Sequence, residues 1–178
     1  GFFLGDYKLL EPLGSGGMSI VYLATHLPSA KDVAIKILPR EKVAQPRNLR
    51  RFAIEARAAA MLEHPNIVRA RDLEIIEGQH VIGMEYVRGT NLQEYVSAHG
   101  PLSISRTVDF ALQTARGLAH AHRADMVHRD IKPLNLLVGI DGELKISDFG
   151  LARLLFEDSQ TLTLQRSGKI LGTVDYLA

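Results

Sequence analysis

The 178 residues contain no cysteine, which excludes a disulfide framework, a thiolate zinc site and a cysteine nucleophile. A reducing compartment is compatible with that absence and is not required by it. An excess of charge is also missing. The formal net charge is +1, so neither a nucleic acid nor a polybasic membrane surface is the expected main partner. No apolar run approaches the roughly 20 residues needed to span a bilayer, and Gly1 to Leu4 is far too short for a signal sequence. The expectation is a cytoplasmic segment with no membrane contact of its own, with tethering of a parent protein left open. Internal repeats and low-complexity segments are absent. What remains is ordinary for a globular chain: 46% hydrophobic and 23% charged residues, over a length sufficient for one large domain or two small lobes with a real core.

Along the chain the pattern changes once. Tyr7 to Leu13 has strand-like apolar content, runs into Gly14, Ser15, Gly16, Gly17, Met18 and Ser19, and resumes as a strand over Ile20 to Ala24. Val33, Ala34, Ile35 and Lys36 form a β-branched strand. Asn48 to Glu63 is rich in helix formers, with Phe52, Ala56, Ala59 and Ala60 at helical spacing. Strands over 68–76 and 79–86 flank a Glu77-Gly78 turn. Helical periodicity then takes over. Asn91 with Glu94 makes a capping box for a short helix ending near Gly100 and Pro101. Ser103 to Ala124 is the clearest helix, with Ile104, Val108, Ala111, Leu112, Ala115, Leu118 and Ala119 as its apolar stripe. His120 and His122 near its end lie on different faces and are surface or packing residues rather than metal ligands. Leu136 to Gly139 and Leu144 to Ser147 flank Asp141-Gly142, a hairpin signal.

Just before that hairpin stand His128, Arg129, Asp130, Ile131, Lys132, Pro133, Leu134 and Asn135, and just after it Asp148, Phe149 and Gly150. Taken singly, each is as readily a solvated turn residue. Taken together, seven specified positions in eight match by chance about once in 10⁹ starts if residue types were equally common. The two stretches resemble the catalytic loop and metal-binding turn of a protein kinase. The glycine-rich hairpin, the Val33 to Lys36 strand, the His64 to Val68 segment, and Gly172 to Ala178 as the start of a closing GTxxYxAPE motif follow in the same family's order. The chain resembles the Hanks-type serine/threonine kinases, and its Gly-Gly-Met loop followed by Val21 to Ala24 is similar to their bacterial members.

The resemblance implies an α+β bilobal fold: an antiparallel β-sheet lobe over 1–87 and the beginning of a helical lobe over 88–178, with Arg88, Gly89 and Thr90 as the link. It implies ATP and magnesium as cofactors. Asp130 would accept the hydrogen bond and proton of the attacking hydroxyl, Lys132 would reach the transferring phosphate, and Asn135 and Asp148 would offer oxygen ligands to magnesium. Leu13, Gly14, Ser15 and Gly16 would cover the phosphates, although Ser19 replaces the third glycine of the family loop. Lys36 would hold the phosphates with Glu55 as its partner. Met84 would be the gatekeeper, backbone groups of Glu85 and Val87 would meet the adenine edge, and Val21, Ala34 and Leu137 would sandwich the base.

Leu151 to Leu171 resembles an activation segment, with Ser167, Thr163 and Thr161 as candidate phosphorylation sites and Arg129 as the residue that would pair with them. Thr173 would bond near Asp130 and Lys132. Protein substrates with Ser or Thr acceptors are the implied partners, favoured over tyrosine by Lys132, and self-association for trans-autophosphorylation is compatible. The Pro-Glu that closes the family motif lies beyond Ala178. The expectation is a partial catalytic domain, weakly active or inactive alone, with exposed apolar faces suited to the rest of the helical lobe. A small-molecule phosphotransferase of the aminoglycoside-kinase type and a non-catalytic ATP-binding scaffold are the alternatives.

Overall fold

A computed structural model describes residues 2–15, 19–149 and 153–154. The chain divides into two compact units, Gly1–Met61 with Arg69–Tyr86, and Leu62–Val68 with Val87–Ala178. The segment 62–68 therefore belongs with the second unit, although the sequence pattern groups all of 1–87 together; Asn66, described below, supplies the reason.

The first unit is a six-stranded antiparallel sheet in the order β1-β2-β3-β4-β6-β5. Its strands are β1 (Phe2–Leu4), β2 (Tyr7–Ser15), β3 (Ile20–His26), β4 (Lys31–Leu38), β5 (Ala70–Ile76) and β6 (Gln79–Glu85). The short α1 (Arg40–Val43) and the longer α2 (Pro46–Ala60) interrupt it. β1 adds an edge strand where sequence pattern indicated none, pairing Phe2 with Leu9 and Leu4 with Tyr7. The β5–β6 turn is made by Glu77 and Gly78, at φ 50° and 76°, the double left-handed geometry that suits the twist of a two-residue hairpin.

Alternation along the strands separates two small cores. One face gathers Leu4, Tyr7, Leu9, Ala24, Ile35 and Val81. The other gathers Leu38 and Ile82 from the sheet with Phe52 and Ala56 from α2, each large side chain contributing about 1.5–3 kcal/mol by leaving water. Pro46 opens α2 at its first turn, where its missing N–H costs nothing. Phe52, Glu55 and Ala56 share the buried face at i, i+3 and i+4. The helix stops at Ala60 rather than Glu63, and Ala60 is exposed rather than part of the inward face.

The second unit holds a three-stranded sheet of β7 (Gly89–Asn91), β9 (Leu136–Gly139) and β10 (Leu144–Ile146) in the order β10-β9-β7. It also holds α3 (Leu92–His99), α4 (Ile104–Arg123), and β8 (Met126–Val127) paired with β11 (Arg153–Leu154). Asn91 caps α3 by accepting the Glu94 N–H at 2.9 Å; the Glu94 carboxylate takes the Thr90 hydroxyl, so the box closes through Thr90. Ser103 caps α4, accepting the Arg106 N–H.

The inward face of α4 is not its aliphatic stripe. Ile104 and Val108 are 85% and 60% exposed and Leu112 is also exposed, while Phe110, Gly117 and Ala121 are buried. Close approach decides this. A Cβ on Gly117 would lie 2.9 Å from the Asn66 carbonyl oxygen and 2.9 Å from Ile146 Cδ1, so only glycine lets α4 meet the 62–68 segment and β10. Gly117→Val is expected to cost roughly 3 kcal/mol, near the top of the overpacking range. An unchanged urea midpoint would show that the contact yields freely.

Candidate active site

In the first unit, Lys36 stands in the middle of β4 and Glu55 on the buried face of α2, and Lys36 Nζ pairs with Glu55 Oε1. Both residues are buried, at 8% and 4% exposure. A lysine in mid-strand needs such a partner, because an isolated ammonium taken out of water costs several kcal/mol. Cross-strand register sets what surrounds it. Val21 lies opposite Lys36 and Leu23 opposite Ala34 on one side; Ile82 lies opposite Lys36 and Met84 opposite Ala34 on the other. Directly opposed residues share a face, so Val21, Ala34, Lys36 and Met84 form one patch of the sheet, apolar except for the ammonium. Leu13, Gly14 and Ser15 end β2 as exposed residues, and Gly16 lies outside the described residues. Ser19, the departure from the glycine pattern, is 5% exposed. The Glu85 N–H donates to the Arg69 carbonyl at 2.9 Å, so its amide is engaged within the sheet.

In the second unit, the loop between β8 and β9 is tied down by its own backbone. Asn135 is buried; its Nδ2 donates to the Asp130 carbonyl at 2.8 Å and to Asp130 Oδ2 at 3.3 Å. The amide nitrogen is thereby occupied, and Oδ1 is the atom suited to a cation. Lys132 Nζ lies 2.8 Å from Asp130 Oδ2, so the carboxylate stands between an ammonium and an amide. Ser147, at the end of β10, donates its N–H to the Asn135 carbonyl at 2.8 Å. The next residue is Asp148, exposed and at φ 63°. Arg129, beside Asp130, is at φ 65°. Two non-glycine residues in the left-handed region within one loop system mark a place where tertiary contacts over-determine the backbone.

His128 is one of those contacts. It is 1% exposed, its Nε2 donates to the Ser147 carbonyl at 3.0 Å, and its Nδ1 accepts the Asp130 N–H at 3.2 Å. That pattern specifies the neutral imidazole with its proton on Nε2. The Phe149 ring stands edge-on to it with centroids 4.7 Å apart. Burial is the main cause that pushes the imidazole below its ordinary value of 6.5, against the raising effect of the Ser147 bond and of Asp148 and Asp130. The folded chain thus refuses a proton that the unfolded chain takes up as pH falls through 6.5. Stability is full above that value and declines as pH falls toward the folded pKa. His64 is pushed down too, by burial and then by His120, Arg123, Arg116 and Lys145. Thermal melts between pH 7.5 and 5 should therefore fall with acid, and His128→Gln should remove part of that slope; an identical slope in the variant would refute this account of the imidazole.

Asn135 Oδ1 and the Asp148 carboxylate are hard oxygen donors, the set that magnesium takes when nucleotide phosphates and water complete its octahedron. No cluster of three or more His, Cys, Asp or Glu suited to a metal occurs among the described residues. Val87 and Leu137 are half-buried, with Leu137 on β9 opposite Asn91. Gly150, the candidate phosphorylation sites Thr161, Thr163 and Ser167, and Thr173 lie outside the described residues.

The sequence pattern singled out each of these charged groups and the His64 to Val68 segment that carries Asn66, but not Gln113 or the tautomer of His128. A polar Gln113 inside the apolar run of α4 was the visible signal for the former.

A model of the protein kinase domain matches residues 7–178. The serine/threonine-protein kinase PrkC of Bacillus subtilis is 41% identical over 174 residues, covering 98% of this chain and 26% of the relative. PknB of Mycolicibacterium smegmatis is 36% identical over 176 residues, covering 97% and 28%. The chain thus spans about a quarter of the length of these relatives. The crystal structure of the Mycobacterium tuberculosis PknI kinase domain, in a mutant form, superposes with a TM-score of 0.71 at 29% identity, covering 85% of this chain and 62% of that one. In the described residues no helix is long and apolar enough to cross a membrane. With the buried lysine–glutamate pair, the Asp130–Lys132–Asn135 loop and the family model all on one chain, this protein belongs to the protein kinase family, among its bacterial serine/threonine members.

Proposed function

We propose that this chain supplies the nucleotide-binding and catalytic parts of a serine/threonine kinase that moves the γ-phosphoryl of magnesium ATP to a Ser or Thr hydroxyl of protein substrates. The observation that carries the proposal is Asp130, whose Oδ2 lies 2.8 Å from Lys132 Nζ and which Asn135 grips from the other side. Such a carboxylate orients an attacking hydroxyl and receives its proton, while Lys132 offers positive charge to the transferring group. Asn135 and Asp148 would hold magnesium, which would supply positive charge to the phosphate oxygens. Lys36, kept in place by Glu55, binds phosphate oxygens in the first unit, where Val21, Ala34 and Met84 form an apolar surface suited to the base.

Arg129 supports a regulatory reading, in which a phosphorylated Ser167, Thr163 or Thr161 pairs with its guanidinium and orders the segment by charge-assisted hydrogen bonds. Self-association for autophosphorylation in trans belongs to the same reading. The test is magnesium-dependent transfer of labelled phosphate from ATP by the full-length protein, offered a basic protein and an aminoglycoside in parallel. Label on Ser or Thr of the protein alone supports the proposal. Label on the small amine points to a small-molecule phosphotransferase, and ATP binding without any transfer to a scaffold.

A further inference from the structure

We infer that Gln113 on α4 and Asn66 in the 62–68 segment are positioning residues for magnesium, acting through β10 to set where Asp148 stands. The inference rests on the kinase reading for the role of Asp148, and on the geometry of the second unit for how that residue is held.

β10 has only three residues and pairs with β9 along one edge. Its other edge is closed by Asn66 and Gln113. Asn66 Nδ2 donates to the Leu144 carbonyl at 2.9 Å and to Gln113 Oε1 at 3.0 Å. Gln113 Oε1 also accepts the Leu144 N–H at 2.7 Å. Both backbone groups of Leu144, a residue with no exposure, are therefore satisfied by this side-chain pair. Left unmet, each would be destabilising. Two residues on, the Ile146 N–H donates to the Asn66 carbonyl and the Val68 N–H to the Ile146 carbonyl, both at 2.9 Å, as a parallel bridge of Ile67 with Ile146.

Register is what this clamp protects. A slip of one residue in a strand turns every following side chain to the other face, and the residues that follow β10 are Ser147 and Asp148. Ser147 then meets Asn135 through its N–H and His128 through its carbonyl, after which Asp148 enters its left-handed conformation. A non-glycine residue there is strained and persists only where neighbours over-determine it. Magnesium demands near-ideal octahedral ligands, so a small drift of β10 spoils the pairing of Asp148 with Asn135. Gln113 holds its side chain outward as well, its Nε2 donating to Asp109 Oδ2 at 3.1 Å. The absent Cβ of Gly117, one turn further along α4, lets the helix come close enough for the reach to work.

The experiment uses the full-length protein and two readouts other than phosphoryl transfer. Mn²⁺ binding in the presence of a non-hydrolysable ATP analogue is followed by electron paramagnetic resonance, and amide hydrogen exchange is followed at Ser147 and Asp148. Gln113→Leu is expected to weaken Mn²⁺ about 10-fold, as loss of an outer-shell partner commonly does, to speed exchange at 147–148, and to leave metal-free analogue affinity unchanged. Gln113→Glu combined with Asp109→Asn keeps the acceptor oxygen, removes the facing carboxylate, and should restore both readouts. Wild-type Mn²⁺ affinity and exchange in Gln113→Leu would overturn the inference. So would equal losses of metal and metal-free nucleotide affinity, which mark a merely structural residue. If wild type binds no Mn²⁺ with the analogue, the kinase reading falls, and exchange at 147–148 still decides whether the clamp exists.

Discussion

Asp130→Asn is expected to lower phosphoryl transfer by about 10²–10⁴-fold, the usual contribution of a positioned proton acceptor, with nucleotide binding retained. The substitution is nearly isosteric. Asn135 holds the Asp130 backbone carbonyl at 2.8 Å, a bond the change does not touch, and His128 holds the Asp130 N–H. What disappears is the charge that faces Lys132 Nζ and, on the proposed mechanism, the basicity that would receive the hydroxyl proton. Steady-state kinetics with a protein acceptor should therefore show the loss in kcat, not in KM for ATP. A variant that keeps more than about a tenth of the wild-type rate would show that Asp130 contributes less than any general base normally does, and the mechanism would need another acceptor.

Lys36→Met should have two separable effects. Removing the ammonium takes away the Lys36 partner of the Glu55 carboxylate, which is 4% exposed, and breaking a buried pair in this way commonly costs about 3–5 kcal/mol of stability. It also removes a fixed positive charge from the phosphates, worth about 10²–10³ in rate by analogy with other preorganised donors. The double variant Lys36→Met/Glu55→Leu distinguishes the roles. Two apolar side chains in place of the pair are close to neutral for folding, so urea unfolding should return toward wild type while transfer stays lost. Recovery of transfer along with stability would mean that the pair serves the fold alone.

The loop that carries Asp130, Lys132 and Asn135 was legible because its pattern is written in contiguous residues. Asp130, Lys132 and Asn135 lie within six positions, and the glycine turn and hairpin signals around them depend on local backbone preferences. Helix limits were less legible: α2 stops at Ala60, short of the helix-forming residues up to Glu63, because Asn66 and its neighbours are drawn to β10 by bonds to residues nearly eighty positions away. Propensity carries no information about such partners. The aliphatic stripe of α4 shows the same limit. Periodicity identifies an apolar face, yet Ile104 and Val108 stand exposed while the contacting face is built from Phe110, Gln113, Gly117 and Ala121.

Residue type and near-neighbour spacing were enough for the family, the strand-then-helix order and the identity of the ionic groups. Folding in three dimensions was needed to make Glu55 the carboxylate in contact with Lys36 and to turn the Asn135 amide nitrogen to Asp130. It was needed equally to hold His128 neutral between Asp130 and Ser147, and to close the edge of β10 with Asn66 and Gln113. Most of these contacts join buried groups far apart along the chain. The free energy of an unmet buried hydrogen bond or charge selects such pairings, and it exists only once the surrounding residues have excluded water.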